Sequence, residues 1–184
     1  MSRKTRILTL VGLVLAALVV IRIFSVSTRR FSAPSVSMAP TINRGDAFYA
    51  DTDAYGDDEV PQRGDIVVFS SPHDPEAEGC SGEHRFVKRA IALPGDSIDI
   101  RRGTVFIDGV RQREPYLAAE RDTSDFGPID VPPGHVYVLG DNRLESSDSR
   151  VFGPVPLDLL CGKVVRIEPG GATSQGTAGA PSAR

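Results

Sequence analysis

Lysine is scarce in this chain. Of 21 basic residues only Lys4, Lys88 and Lys163 are lysines and the rest are arginine, so a lone lysine marks a place where an amine that can lose its proton has a use that a guanidinium lacks. Chance suffices for Lys4 and Lys163. Cysteine is scarcer still, with only Cys80 and Cys161. Neither sign of charge dominates: a net charge of −3 beside a 40% hydrophobic share excludes both the basic balance of a nucleic-acid-binding protein and the composition of a disordered acidic chain. Helical periodicity is nearly missing, and long apolar runs are missing with one exception at the N-terminus. At 184 residues the length suits one domain, or a domain with a small insertion, between an anchor and a tail.

The exception is the run 7–24. It follows Arg3, Lys4 and Arg6 and is interrupted only by Arg22, so it reaches about the length that spans a thin bilayer. We read it as one transmembrane anchor, with 1–6 cytoplasmic and 25–32 a tether. A cleaved secretory signal is the competing reading, because Ser25 and Ser27 offer small residues at cleavage-site spacing. Both readings export the remainder. From 33 to 169 short strands are expected at 47–50, 65–69, 85–93, 97–101, 104–107, 135–139 and 162–167, separated by Gly, Pro and Asp turns, which makes the fold mainly β. Arg102-Gly103 and Asp108-Gly109 are tight-turn signals, and 157–160 is long enough for one helical turn. Segments 70–83 and 118–133 read as loops. The tail 170–184 has almost nothing to bury and reads as disordered. In an exported domain Cys80 and Cys161 are most simply a disulfide closing about 80 residues, worth roughly 4.5 kcal/mol on the chain-entropy model; two unpaired thiols are the alternative.

The stretch PSVSMAPTI, 34–42, holds two serines two residues apart, so on an extended backbone both hydroxyls face one side. Pro40 disfavours a helix through Ser37 and keeps Ala39 extended. By itself this is a polar linker unless a base stands near. His84 or His135 with an aspartate would complete a triad, although neither lies in a distinctive local sequence. Lys88 lies in HRFVKRAIALPGD. On a strand it shares a face with Phe86 and Ala90, with Val87, Arg89 and Ile91 opposite, and such apolar surroundings lower an amine's pKa toward that of a general base. The run GDNRLESSDSR, 140–150, fails as a calcium loop, because Arg143 and Arg150 interrupt the acidic residues and EF-hand spacing is absent. As a buttress it works: Asp148 and Arg150 suit a charge-assisted pair, and the serines suit the orientation of an amine.

Four stretches in order, SVSMAPTI, RGDIVVF, FVKRAIALPGDSI and GDNRLESSDSR, resemble the type I signal peptidases, membrane-anchored Ser-Lys proteases that remove signal peptides. The resemblance implies that Ser37 is the nucleophile and Lys88 its general base, with Ser35 and the Ser37 N–H forming the oxyanion hole. It implies that Ser146 orients the lysine amine, that Asp148 and Arg150 form a supporting pair, and that Asp141 and Arg143 have structural roles. Pro34, Met38, Ile42 and Val87 fall where the family builds pockets for alanine-like residues. Two departures stand out: Phe86 occupies the place of a tyrosine found in some members, leaving Ser146 to orient Lys88 alone, and the segment 97–139 is short, which implies a small β cap as in the compact Gram-positive type.

The resulting expectation is a signal-peptidase-like β-sheet catalytic domain (33–169) with a small cap insertion (97–139) behind one transmembrane helix. Its activity would be endoproteolytic cleavage after a small-x-small motif on the extracytoplasmic side of the plasma membrane. Preprotein signal peptides, membrane lipid and the export machinery would be its partners, with no nucleic acid, metal or organic cofactor. A soluble self-cleaving repressor-type Ser-Lys protease lacks such an N-terminus, and a non-catalytic anchored β-domain would not need Lys88 as a base.

Overall fold

The computed structural model describes residues 27–56, 59–73, 85–118, 120 and 122–170. The expected anchor 7–24, Cys80, His84, most of the loop 70–83 and the tail from 171 onward lie outside the described residues. Among the described residues no helix is long and apolar enough to cross a membrane.

The fold is mainly β. Its strands in chain order are β1 (Thr28–Ser32), β2 (Ala47–Asp51), β3 (Ile66–Ser70), β4 (Arg85–Ala92), β5 (Ser97–Arg101), β6 (Thr104–Ile107), β7 (Val110–Arg111), β8 (Phe126–Asp130), β9 (His135–Leu139), β10 (Val155–Pro156) and β11 (Leu160–Glu168). They form a seven-stranded sheet in the order β1-β2-β11-β3-β4-β9-β10 and a four-stranded sheet in the order β7-β6-β5-β8. The small sheet lies within the expected cap segment, between β4 and β9 of the large one. Both predicted tight turns are present: Arg102 and Gly103 have φ of 48° and 71°, Asp108 and Gly109 of 51° and 76°. Positive φ at both central residues is the hairpin turn whose twist matches that of the strands it joins.

Two sequence readings are corrected. The loop expected at 118–133 contains β8, which pairs with β5. Alternation was hidden there by Gly127 and Pro128: Gly127 has a φ of 94°, and a Cβ on it would stand 2.7 Å from the Ile98 carbonyl oxygen, while Pro128 lacks an N–H and suits the edge of a sheet. The expected tether at 25–32 contains β1, an edge strand of mostly exposed residues, whose missing apolar alternation explains why it escaped notice. The single turn expected at 157–160 is a 3₁₀ turn at Leu157–Leu159.

A register shift between Ala90 and Ala92 where β4 meets β9 matters for how the sheets join. A bulge breaks strict alternation and re-aims side chains. Ala90 therefore packs in the large sheet's core with Val67, Phe69 and Val138, whereas Ile91 and Ala92 both join the core of the small sheet with Ile98, Ile100, Val105 and Ile107. Tyr137 and Leu139 of β9 complete that core, so the cap is welded to the large sheet by apolar packing. Ile98 is fully buried there. Ile98→Ala should therefore destabilise the protein by about 2–5 kcal/mol through lost burial and a residual cavity, measured by denaturant titration.

Candidate active site

Ser37 sits in a turn between β1 and β2. Ala33 is tied to the hairpin end beyond it, its N–H donating to the Asp46 carbonyl and its carbonyl accepting from the Gly45 N–H, both at 2.9 Å. The turn is closed by Ala39 N–H to the Val36 carbonyl (3.0 Å) and Ile42 N–H to the Met38 carbonyl (2.9 Å). The extended run expected through Ala39 is thus replaced by a turn with a cis Ala39–Pro40 bond. Met38 and Ile42 are 2% and 0% exposed and hold this turn down by packing with Phe48, Val68 and Ala50. The two serine hydroxyls meet, Ser35 Oγ donating to Ser37 Oγ at 3.3 Å.

Lys88 reaches the same point from β4, where it lies opposite Val67 of β3. It is 3% exposed, beside a Ser37 that is 5% exposed. Its Nζ donates to Ser37 Oγ at 2.7 Å and to the Val87 carbonyl at 3.1 Å, and stands 5.6 Å from the centre of the Phe86 ring. Burial pushes the amine down to about 8 from an ordinary 10.5, against the opposing pull of Asp148 and Asp141. An amine so tuned is neutral in part at physiological pH and can take a hydroxyl proton. Ser146 does not contribute as expected: its Oγ is buried and has no hydrogen-bond partner among the described residues. The Val87 carbonyl and the Phe86 ring hold the amine instead, so the phenylalanine contributes its π face where a tyrosine would add a hydroxyl. His135 is directed elsewhere, its Nδ1 lying 3.0 Å from the Pro133 carbonyl oxygen.

The run 140–150 buttresses this pair through its backbone as much as its side chains. The Asn142 N–H donates to the Ser37 carbonyl at 3.0 Å, and Asn142 Nδ2 to the Val36 carbonyl at 3.3 Å. A Cβ on Gly140 would stand 2.5 Å from the Ser37 carbonyl oxygen and closer still to Ser146 Oγ, so only glycine permits this approach. Asp148 is fully buried. It accepts from the Gly140 N–H at 3.0 Å, caps the helical turn Ser149–Phe152, and takes two bonds from the Arg150 guanidinium at 2.9 Å. Buried carboxylates persist when paired and hydrogen-bonded in this way. The expected Asp148–Arg150 pair is present, and Arg150 also reaches Asp122 at 2.9 Å.

Asp141 and Arg143 have partners that the sequence did not disclose. Asp141 receives a fork of two bonds from Arg89, at 2.8 and 2.6 Å, and a bond from Thr41 Oγ1 at 2.5 Å. Arg143 donates to the Gly140 carbonyl at 2.8 Å and pairs with Glu114 at 2.5 Å. Arg89, Thr41, Asn142, Gly140, Glu114 and Asp122 were therefore missed as site residues. Arg89 is next to Lys88, and Thr41, Gly140 and Asn142 lie inside the runs 34–42 and 140–150; Glu114 and Asp122 carried no local signal, being far from their partners in the chain.

Beside the Ser37–Lys88 pair lies a groove of about 310 Å³ lined by residues that include Pro34, Val87, Phe48, Val68, Phe86 and Phe31. Of the four residues expected to form the apolar pockets, Pro34 and Val87 line it. Met38 and Ile42 belong instead to the core that supports Phe48 and Val68, since both are buried out of reach of solvent. Cys161 is buried in that same core, whereas its expected partner Cys80 lies outside the described residues. Among the described residues no group of His, Cys, Asp and Glu is arranged to hold a metal.

A serine hydroxyl against a buried amine on a mainly β scaffold defines a candidate hydrolase, and comparison with known proteins supplies the family. The model described as "Signal peptidase, peptidase S26" matches residues 4–167, and the chain belongs to that family. It is 38% identical over 155 residues to a probable signal peptidase I-1 of Synechocystis sp., covering 84% of this chain and 76% of that one. It is also 38% identical over 138 residues to thylakoidal processing peptidase 1 of Arabidopsis thaliana, covering 73% of this chain and 40% of that longer protein. A crystal structure of a signal peptidase I from Enterococcus faecalis is 34% identical and covers 58% of this chain and 98% of that chain, with a TM-score of 0.48. The chain is thus a signal peptidase I-type enzyme, a serine peptidase of the class that removes signal peptides.

The depressed lysine also has a consequence for stability. Below about pH 8 both the folded and unfolded states carry a protonated Lys88, and burial of that charge opposes folding in full; the penalty fades as pH rises from about 8 to 10.5, where only the unfolded state still binds the proton. Lys88→Met, close in volume and uncharged, should raise Tm below pH 8, and its advantage over the wild type should shrink between pH 8 and 10.5 in a calorimetric series.

Proposed function

We propose that this enzyme cleaves preproteins after a small-x-small motif by a Ser37–Lys88 dyad. The 2.7 Å contact between Lys88 Nζ and Ser37 Oγ, closed from water, is the observation that carries this reading. With the amine neutral, Lys88 takes the Ser37 proton as Oγ attacks the scissile carbonyl. Ser35 Oγ, 3.3 Å from Ser37 Oγ, and the Ser37 N–H donate to the developing oxyanion. The proton passes to the leaving amine, and water, deprotonated in turn by Lys88, releases the acyl group. The groove between Pro34 and Val87 suits short apolar side chains on the residues before the cut. Asp141, Arg143, Asp148 and Arg150 keep the loop behind Ser37 in place, and Ser146 lies beside it. The run 7–24 anchors the enzyme once in the plasma membrane with 33–169 on the extracytoplasmic side, where substrates arrive from the export machinery and lipid surrounds the anchor.

The test is incubation of the detergent-solubilised protein with a preprotein, followed by sequencing of the new N-terminus. Ser37→Ala and Lys88→Arg should each abolish cleavage, because arginine keeps the charge but is no base at neutral pH; processing at the wild-type rate by either variant would refute the dyad. With Lys88 near 8, kcat/KM should rise with pH through a limb at about that value and fall away below it as the amine protonates. A flat profile where chemistry limits the rate would point to another base.

A further inference from the structure

One short cap segment touches a neighbour of each half of the Ser37–Lys88 pair. Tyr116 lays its ring against the Arg89 guanidinium at 4.0 Å, and Arg89 is the residue after Lys88. The Tyr116 hydroxyl donates to Glu114 Oε1 at 2.9 Å. The same carboxylate oxygen accepts from Arg143 Nη2 at 2.5 Å, with both side chains nearly excluded from solvent. Arg143 in turn donates through Nε to the Gly140 carbonyl at 2.8 Å. Gly140 begins the turn whose Asn142 N–H holds the Ser37 carbonyl. The path therefore runs from the base, through Arg89, Tyr116, Glu114 and Arg143, to the backbone of the nucleophile.

We infer that Glu114 and Tyr116 are positioning residues that set the separation of Ser37 and Lys88, so that the small cap is a working part of the catalytic centre. The inference rests on the Ser37–Lys88 reading above. Neither residue touches the groove beside the dyad, whose lining comes from β1, β2, β3, β4 and Pro34, so their effect falls on the chemical step and not on peptide binding. A nearly buried carboxylate oxygen that accepts from two donors is a rigid junction, because a donor that moves away gives up its own bond where little water can replace it. A plain stabilising role would lower the fraction folded and leave the turnover of folded molecules unchanged.

The experiment measures kcat and KM per folded molecule, with Tm, for the full-length protein and for Glu114→Gln, Glu114→Gln/Arg143→Gln and Tyr116→Phe, using a peptide that spans a small-x-small junction. Cleavage by the wild type and its loss in Ser37→Ala establish the underlying reading in the same assay. Glu114→Gln should lose kcat on the order of 10- to 100-fold, as displaced catalytic groups do, with KM within about twofold. The double variant removes both buried charges and should regain Tm without regaining kcat. Tyr116→Phe keeps the ring on Arg89 but loses the bond to Glu114, and should lower kcat about threefold at unchanged KM; it provides the readout if Glu114→Gln fails to fold. Wild-type kcat per folded molecule in Glu114→Gln, or in Tyr116→Phe where that is the only folded variant, overturns the inference while leaving the dyad intact. Recovery of kcat together with Tm in the double variant also overturns it.

Discussion

A primary amine closed from water against a serine hydroxyl is the constraint on which the rest of this structure depends. An ammonium in that place is destabilising, and the fold relieves the strain by lowering the affinity of the amine for its proton. Too little burial would leave the amine fully charged at neutral pH; too much, with no carboxylate nearby, would make the site harder still to fold. Asp148 and Asp141 supply a moderating negative field, while their own charges are engaged by Arg150 and Arg89. The amine, its pKa and its counter-charges form one electrostatic arrangement.

The preference for arginine over lysine then acquires a structural meaning. Arg89, Arg143 and Arg150 each use two or more nitrogens at once, on Asp141 and the Gly64 carbonyl, on Gly140 and Glu114, and on Asp148 and Asp122. A planar fork makes such multiple bonds with little loss of freedom, and it never gives up its proton beside a carboxylate. Lysine at these places would supply a point charge and a second titrating amine near the first. Segregating the two residue types keeps one amine able to lose its proton and every supporting cation permanently charged.

Much of both sheets was legible because half-buried strands alternate and turns announce themselves with Gly and Asp. The strands at 97–101, 104–107 and 135–139 have the boundaries that the pattern predicts, and both tight turns between β5 and β7 are where the dipeptides Arg102-Gly103 and Asp108-Gly109 stand. Four strands escaped: β7 and β10 are only two residues long, while β1 and β8 are exposed along most of their length, and an edge strand facing solvent has no hydrophobic period to read. At the site, the pairing of Asp148 with Arg150 was legible because two residues of separation suffice for contact. That Asp141 meets Arg89 and Arg143 meets Glu114 was not, since those partners are brought together only by strand order. Motif assigned contacts to Met38 and Ile42 that their burial in the core precludes, and to Ser146 a bond to the amine that its Oγ does not make.

What the sequence determined by itself was the inventory and the local geometry. One lysine stood among arginines and apolar neighbours, two serines stood two apart, and a charged run followed an apolar strand, because periodicity, turn chemistry and residue type act over a few positions. The tertiary structure alone decided that Lys88 and Ser37, 51 positions apart in the chain, stand 2.7 Å from each other with water excluded. It also decided that the Val87 carbonyl and the Phe86 ring orient the amine, and that the cap closes the arginine network from the far side. The register of β3, β4 and β9 and a bulge within β4 set these relations, and such pairings depend on the packing of the whole sheet rather than on any local stretch.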